Sequence, residues 1–385
     1  MSYPTRTILA LAMFFISMIG CVWNLTSLEG QTLSPKNDPN VTLLKWRAHD
    51  YAGNAYVGSK ACAQCHTTEA ATQLSTPMAQ ALTLASDCQV LRKRPSLTFR
   101  NGSFSYEIAR RGNGIIYTVT AGVNTISEPI LYCFGEGKVG QTYVFKHNGL
   151  FYETRLSYYE GIQKLDFTTG HSRREPTSLE EALGRAMSWD EAGDCFGCHT
   201  TAAFNGSQLQ PDHLIPGVAC EGCHGPGEKH IAAAKARRFK DLEIFNPGML
   251  AADGLTQEFC GTCHRSFNDA MLLPMQGGIN NIRFQPYRIF NSPGHKDDPR
   301  ISCVACHNPH DKLQRQAAFY DSKCLACHLS SPKEAKTRIR KAPGCPVSRN
   351  QCVTCHMPRI EVPEMHSKFT DHWIRIARPN EQLPN

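Results

Sequence analysis

The 385-residue sequence predicts a chain of mainly short α-helices and irregular loops wrapped around large bound groups, with a small inserted antiparallel β module. The pattern Cys-x-x-Cys-His occurs seven times, and the second to seventh copies lie within residues 195–356, about 27 residues for each copy. A segment of that length is too short to bury an apolar core of its own, so the bound groups must form the interior. The first copy stands apart, and part of the stretch before the second alternates apolar and polar residues as strands do.

Each copy of the motif places two cysteines three residues apart and a histidine directly after them. On a helical turn both sulfur atoms can reach one porphyrin and form thioether bonds, and the histidine then lies beneath the iron as its proximal ligand. A zinc site would not require the adjacent histidine, and thioredoxin-like chemistry uses one cysteine pair in a βαβ setting. The motifs therefore predict seven covalently attached haem c groups and a multihaem cytochrome c fold with stacked haems.

The haem-attaching and iron-binding residues follow directly from the motifs. The predicted attachment cysteines are Cys62, Cys65, Cys195, Cys198, Cys220, Cys223, Cys260, Cys263, Cys303, Cys306, Cys324, Cys327, Cys352 and Cys355. The predicted proximal ligands are His66, His199, His224, His264, His307, His328 and His356. We number the haems 1 to 7 in this order.

The nine remaining histidines are candidates for the second axial position. Seven would saturate every iron, and a saturated iron carries electrons but binds no substrate, so the count favours electron transfer over catalysis. The predicted distal ligands are His171, His230, His295, His310, His366 and His372, with His49 and His213 as weaker candidates. His147 adjoins a turn and is predicted to be exposed, and Met78 is an alternative ligand for haem 1.

Composition and spacing also predict the domain order. We expect residues 22–50 to form a polar tether, residues 51–90 to carry haem 1 and residues 91–165 to form the β module. Residues 166–375 would form a six-haem domain and residues 376–385 a tail. The 23 prolines and 29 glycines fit a chain that turns often.

Local signals support this division. Glycine-containing turns at residues 100–103, 111–114 and 147–150 lie between strand-like runs and predict hairpins. Capping boxes at residues 178–181 and 331–334 predict helix starts, and the second would open a short basic helix.

Four cysteines lie outside the haem motifs. Residues 1–21 have the basic start and apolar run of a secretory signal, and Cys21 adjoins a lipoprotein-like processing site. Lipid attachment at Cys21 is the favoured interpretation, with ordinary cleavage and an uncleaved anchor as alternatives. In an oxidising compartment Cys88 and Cys133 could form a disulfide, whereas Cys345 has no evident partner.

The net charge of +7 does not indicate nucleic acid binding. Each haem brings negative propionates, so seven haems would cancel or reverse the excess. Many lysine and arginine side chains are better interpreted as propionate partners and solvated surface.

Five segments make the chain resemble multihaem cytochromes with a cytochrome c-554-type domain. They are residues 56–59, 217–227, 259–265, 303–310 and 352–358. The resemblance covers residues 56–375, and its most specific element is the Cys-Glu-x-Cys-His-Gly-Pro-Gly block that begins at Cys220. The wider group includes pentahaem nitrite reductases and octahaem hydroxylamine oxidoreductases. The chain lacks the Cys-x-x-Cys-Lys motif that such nitrite reductases place at the catalytic haem, and Met78 stands where relatives often carry a histidine.

These observations predict an exported electron carrier with no catalytic residue of its own. Expected partners are other cytochromes or a membrane quinol-oxidising complex, and the expected location is the periplasm or the outer membrane surface. Two alternatives stay open: a reductase or oxidase of small nitrogen or sulfur species at one five-coordinate haem, and a subunit of a conducting filament.

Overall fold

The computed structural model describes residues 53–206, 208–272, 281–297, 300–328, 345 and 347–378, with the backbone alone at 296 and 297. The predicted leader and tether, Cys21, His49 and the predicted basic helix lie outside the described residues. No helix within these ranges is both long and apolar enough to cross a membrane.

A ten-stranded antiparallel sheet dominates the first half of the described chain. Its strands are β1 (Leu82–Leu84), β2 (Ser96–Asn101), β3 (Phe104–Arg111), β4 (Gly114–Ala121), β5 (Asn124–Phe134), β6 (Gly140–His147), β7 (Leu150–Thr154), β8 (Leu156–Tyr159), β9 (Lys164–Phe167) and β10 (Gly184–Ala186). The main path runs β10-β7-β6-β5-β4-β3-β2. In addition, β1 pairs with β5, and β8 pairs with both β6 and β9.

The predicted hairpins are confirmed. Gly102, Gly112 and Gly149 lie in the turns between β2 and β3, β3 and β4, and β6 and β7. Their φ angles are 60°, 58° and 82°, a region that glycine enters without steric cost. The glycine-containing turns and the strand-like runs beside them therefore predicted these strand pairs correctly.

The helices are short. They are α1 (Ser59–Cys62), α2 (Thr67–Gln73), α3 (Gln89–Lys93), α4 (Leu179–Leu183), α5 (Trp189–His199), α6 (Cys220–His224), α7 (Glu228–Lys235), α8 (Gly261–His264), α9 (Phe267–Leu272), α10 (Gln285–Phe290), α11 (Pro293–Asp297), α12 (Cys303–Cys306), α13 (Ala317–His328) and α14 (Cys352–His356). Three small ladders accompany them: β11 (Thr200–Thr201) with β14 (Ile215–Pro216), β12 (Phe204–Asn205) with β13 (Gln208–Leu209), and β15 (Arg359–Val362) with β16 (Ser367–Thr370).

Single-turn 3₁₀ segments at Ala85–Asp87, Pro211–His213, Pro247–Met249 and Pro363–Met365, and a π-helical segment at Gly254–Cys260, complete the described elements. The capping box predicted at residues 178–181 is confirmed, because Ser178 accepts a hydrogen bond from the Glu181 backbone N–H at 3.1 Å.

Apolar packing is concentrated on the sheet. Both buried apolar clusters are drawn from residues 82–214 and contain aromatic side chains such as Tyr117, Phe145 and Phe196. Among described residues after 214, six buried apolar residues are scattered along the chain: Ala219, Ala233, Leu255, Ala270, Ile282 and Ile289. The motif-rich half thus lacks a comparable apolar cluster in the part of the chain described.

The prediction of a mainly helical chain with a small β module is wrong. The sheet is large and curled, and its strands extend from β1 to β10 beyond the predicted limits of residues 91–165. Strands of three or four residues at its margins are too short to show a period in the sequence. They form because neighbouring strands supply their backbone hydrogen bonds.

Candidate haem-binding sites

The seven motifs lie on helical turns. Motifs 3 and 7 form α6 and α14, motifs 2 and 6 end α5 and α13, and the first four residues of motif 5 form α12. Motif 4 spans the end of the π-helical segment and α8. Motif 1 begins at Cys62, the last residue of α1, and continues as a turn in which His66 N–H donates to Cys62 O. The cysteine sulfur atoms are thiols in this structure and stand in for the thioether sulfurs of a haem-loaded chain.

Three of the predicted proximal histidines face a second histidine. The ring centres of His66 and His230 lie 6.2 Å apart with planes inclined by 24°. His224 and His310 are 6.1 Å apart and inclined by 9°. An iron bonded to two imidazole nitrogens at about 2.0 Å each requires ring centres about 6 Å apart. Each pair can therefore hold one metal ion between its rings.

The third facing pair comes from motif 5 and the C-terminal segment. His307 and His372 have ring centres 6.3 Å apart and planes inclined by 39°. A cavity of about 390 Å³ borders His307, with Cys306, Pro309 and Phe319 among its lining residues. Space therefore lies beside His307.

Hydrogen bonds set the tautomer of five candidate ligands. The Nδ1 atom of each lies 2.7–3.1 Å from a backbone carbonyl oxygen. A carbonyl can only accept, so Nδ1 carries the proton and Nε2 keeps the lone pair that a metal needs. The five are His199, His224, His230, His356 and His372, which bond to the carbonyls of Ala81, Phe245, Leu242, Arg375 and Thr370.

Burial favours the neutral form of four of the predicted ligands. Desolvation lowers the pKa of His224, His264 and His307 below the usual range. Burial lowers the pKa of His372 to about 4, against the opposing effect of its hydrogen bond to Thr370. A neutral imidazole is the form that binds iron, so these environments suit ligation.

Three other histidines lie against carboxylates. His171 Nε2 is 3.0 Å from Glu153 Oε2, and His366 Nε2 is 2.7 Å from Asp166 Oδ2. In both of these predicted ligands the nitrogen that would bind iron faces a carboxylate oxygen. His147 Nδ1 lies 2.6 Å from a Glu128 carboxylate oxygen, and its side chain is only 14% exposed, so the prediction of an exposed His147 is wrong.

The remaining candidate ligands, His295, His213 and Met78, have three different environments. His295 packs against Phe290, and its Nε2 is buried without a hydrogen-bond partner, 3.6 Å from Asp253 Oδ1. An orphaned buried nitrogen is what a ligand to an absent metal would show. His213 ends a 3₁₀ turn, and Met78 is half-buried with its carbonyl accepting from Val218 N–H.

Cysteines from different motifs meet in pairs. The first cysteine of motif 1, Cys62, is in hydrogen-bonding contact with Cys220, the first cysteine of motif 3. The first cysteines of motifs 4 and 5 and of motifs 6 and 7 contact each other in the same way. These pairs are Cys260 with Cys303 and Cys324 with Cys352. Each such contact brings the attachment edges of two haem sites together.

Four other cysteines differ in their burial and contacts. Cys88 and Cys133 are fully buried, in contact with each other, and are free thiols in this structure. Cys198 Sγ of motif 2 lies 3.9 Å from the Thr262 carbonyl of motif 4. Cys345 is exposed.

Sequence reasoning missed the buried polar residues that hold these sites together. Glu221 is 4% exposed and Asp321 is 9% exposed, and both accept backbone hydrogen bonds from neighbouring motif segments. Arg288 and Asp371 are 1% and 0% exposed and form a two-point ion pair with distances of 2.9 and 2.7 Å. Only Glu221 carried a sequence signal, its place inside the most specific motif block.

The residues present fit haem c. Paired cysteines on helical turns, histidine rings at the spacing of two axial ligands, fixed tautomers and the orphaned His295 nitrogen all match its requirements. Residues 156–225, which include motifs 2 and 3, match the family described as cytochrome c554 and c-prime. This chain is a multihaem c-type cytochrome.

Two further similarities accompany this match. The chain is 27% identical over 204 residues to the high-molecular-weight cytochrome c of Nitratidesulfovibrio vulgaris Hildenborough. The match covers 50% of this chain and 32% of the relative, so the chain spans about a third of that relative's length. The crystal structure of the outer cell wall cytochrome OcwA is similar with a TM-score of 0.45 and 15% identity, over 83% of this chain and 80% of that one.

Proposed function

We propose that this cytochrome is an exported electron carrier with seven covalent haem c groups, most of them bound by two histidines. Bound haem supplies a one-electron ferric/ferrous couple. The observation that carries the proposal is the set of three histidine pairs spaced at 6.1–6.3 Å. An iron with both axial positions filled by protein exchanges electrons but offers no position to a substrate.

The axial pairs follow from this spacing. His66 and His230 would bind haem 1, and the hydrogen bond from His230 Nδ1 to the Leu242 carbonyl leaves Nε2 with the lone pair that iron needs. His230 is therefore a better candidate for haem 1 than Met78. His224 with His310 would bind haem 3, and His307 with His372 would bind haem 5. Of the other predicted ligands, His295 is the best placed, because its buried Nε2 lacks a hydrogen-bond partner.

The motif contacts support a spatial order for the haems. Haem 1 would adjoin haem 3 through Cys62 and Cys220, and haem 3 would adjoin haem 5, whose motif segment carries His310. Haem 4 would meet haem 5 through Cys260 and Cys303.

Haem 2 would meet haem 4 through the contact between Cys198 and Thr262. The segment after motif 7 carries His372 to haem 5, and haems 6 and 7 would adjoin through Cys324 and Cys352. Haem 5 then becomes the junction of three branches, which suits a carrier that connects more than one redox partner.

The partners and location complete the proposal. Other cytochromes or a membrane quinol-oxidising complex would exchange electrons with the chain in the periplasm or at the outer membrane surface. The leader-like residues 1–21 support export, and Cys21 would receive a lipid anchor. Cys21→Ser should then release the protein from membranes with its haem content unchanged. Continued membrane association after confirmed leader cleavage would contradict the anchor.

Mass and carbon monoxide measurements test the haem assignments. The denatured protein should retain seven haems by mass. His230→Ala, His310→Ala and His372→Ala should each give one high-spin haem that binds carbon monoxide, because each removes a distal ligand. His147→Ala is the matched control and should give none, since His147 pairs with Glu128.

Six or fewer haems from a fully matured preparation would contradict the stoichiometry. Ligand variants that bind no more carbon monoxide than the His147→Ala control would contradict the axial assignments. A stoichiometric fraction of carbon monoxide-reactive haem in the unmodified protein would reveal an open iron and favour a reductase or oxidase.

A further inference from the structure

Glu221 is a buried carboxylate at the junction of two haem segments. It lies inside motif 3, and its side chain accepts three backbone hydrogen bonds. The donors are Val57 N–H at 2.9 Å, Gly58 N–H at 2.8 Å and Gly227 N–H at 2.8 Å. A buried carboxylate is costly unless such donors satisfy it, so this placement strongly favours one arrangement of the three segments.

The three donors lead to the two proposed ligands of haem 1. Gly58 is the N-cap of α1, the turn that leads to His66. Gly227 is the N-cap of α7, which carries His230. One carboxylate therefore holds the start of the proximal-ligand segment and the start of the distal-ligand helix.

Glycine permits this close junction. Gly58 has φ of 78°, in the left-handed region where other residues are strained. A β-carbon on Gly227 would lie 3.0 Å from Val57 Cγ2, closer than ordinary packing allows. Gly58 thus permits the backbone turn at Glu221, and Gly227 permits the close packing against Val57.

Flanking contacts join the same segments at the surface. Asn54 donates its side-chain N–H to the Pro226 carbonyl at 2.9 Å, and the exposed Glu228 accepts from Ala55 N–H at 3.0 Å. The Glu228 contact is exposed and the Asn54 contact is only partly buried, so each should hold the junction more weakly than the buried carboxylate does.

We infer that Glu221 is a positioning residue for haem 1, which fixes His66 and His230 relative to each other and haem 1 relative to haem 3. This inference rests on the proposed His66–His230 axial pair. The Cys62–Cys220 contact places the attachment edge of haem 1 beside the same carboxylate. A buried negative charge there would also stabilise the ferric state and lower the midpoint potential of an iron held between these histidines.

Glu221→Gln tests the inference in the full haem-loaded protein. Glutamine keeps the shape of the side chain but removes its charge and one acceptor oxygen. We expect seven haems by mass, an altered low-spin electron paramagnetic resonance signal for one haem, and an upward shift of one midpoint potential. Glu228→Gln is the matched control, because this exposed carboxylate bonds to the same chain segment. It should leave the signals and potentials at their parent values.

A second variant perturbs the junction without removing charge. Gly227→Ala crowds Val57 and should alter the same low-spin signal. Unchanged signals and potentials in both Glu221→Gln and Gly227→Ala would overturn the positioning role. If Glu221→Gln does not yield haem-loaded protein, Gly227→Ala is the remaining test. An unchanged low-spin signal in Gly227→Ala would then by itself overturn the positioning role of Glu221.

His230→Ala separates this inference from the proposed axial pair. If His230→Ala gives no carbon monoxide-reactive haem, the axial assignment is wrong and the role of Glu221 falls with it. If His230→Ala does give one and the two junction variants behave as the parent does, only the positioning role is overturned.

Discussion

The sheet region, residues 82–186, and the motif region, residues 189–375, bury different kinds of side chain. The sheet region buries aromatic residues, and Tyr117, Tyr143 and Phe145 are all fully buried. The largest fully buried side chain in the described chain is instead Arg288, which pairs with Asp371 in the motif region. A region that leaves its interior to haems needs hydrogen bonds to fix its backbone, whereas the sheet fills its own interior.

Histidine environments follow a similar division. His147 and His171, in the sheet region, lie against carboxylates. His224, His230 and His372, in the motif region, donate Nδ1–H to backbone carbonyls and leave Nε2 available. The division is not complete, because His366 of the motif region also lies against a carboxylate, that of Asp166 in the sheet region.

Buried carboxylates connect neighbouring motifs at two places. Glu221 connects motif 3 to the segment before motif 1, and Asp321 connects the helix of motif 6 to motif 7. Asp321 accepts from Gln351 N–H and Cys352 N–H at 2.8 Å each, and these bonds lower its pKa. Both carboxylates adjoin a contact between first cysteines.

Removal of one haem should give the largest contrast between the regions. Cys260→Ala combined with Cys263→Ala should lose one haem by mass and unfold the surrounding motif segments, because the porphyrin is part of their interior. Hydrogen exchange should show retained protection in the sheet. Cys345→Ala, at an exposed cysteine outside the motifs, should keep seven haems and all protection. Equal loss of protection in the sheet would contradict two separately stabilised regions.

Truncation of a buried side chain in the sheet should destabilise the sheet and leave the haems attached. Phe145→Ala should lower the free energy of unfolding of the sheet by about 3–5 kcal/mol while leaving haem content unchanged. Denaturant titration with a far-ultraviolet signal measures the first effect, and mass measures the second. Phe319→Ala, at a side chain that is 43% exposed in α13, is the control and should cost far less. Haem loss in Phe145→Ala would show that the regions depend on each other for stability.

Breaking the buried ion pair should affect the motif region alone. Arg288→Met should cost about 3 kcal/mol, because it leaves Asp371 as an unpaired buried charge. Asp371 immediately precedes His372, so haem 5 should also become reactive to carbon monoxide. Arg92→Met, in an exposed pair with Asp87, should change stability by less than about 1 kcal/mol. A stable Arg288→Met variant with unreactive haem 5 would show that the pair does not hold His372.

Two equivalent helix caps provide the finest comparison. Ser178 caps α4 beside the sheet and Ser188 caps α5, which carries motif 2, each by accepting a backbone N–H at 3.1 Å. Ser178→Ala should cost about 1 kcal/mol in thermal or denaturant unfolding. Ser188→Ala should cost less, since two thioether bonds also restrain α5. A larger loss in Ser188→Ala would indicate that haem attachment does not support that helix.

Part of the fold followed from local sequence signals. The turns at Gly102, Gly112 and Gly149 and the cap at Ser178 depend on neighbouring residues, so they could be predicted. The extent of the sheet could not, because β1 and β10 have three residues each and exist only through pairing with β5 and β7.

The candidate sites show the same limit. Motif spacing predicts that Cys220, Cys223 and His224 bind haem, but the histidines that face His66, His224 and His307 come from distant parts of the chain. His230 lies 164 residues after His66, and sequence reasoning gave it no particular haem. The roles of His171 and His366 as distal ligands stay predictions, since their Nε2 atoms face Glu153 and Asp166 in this structure.

The sequence by itself determined the chemistry, because haem attachment needs only two cysteines and a histidine on one helical turn. It also determined the hairpins whose turns require glycine. Only the tertiary structure decided which histidines face each other, which motifs adjoin, and where Glu221 and the Arg288–Asp371 pair are buried. Those features depend on contacts between segments far apart in the chain, and local spacing carries no information about which distant segments will meet.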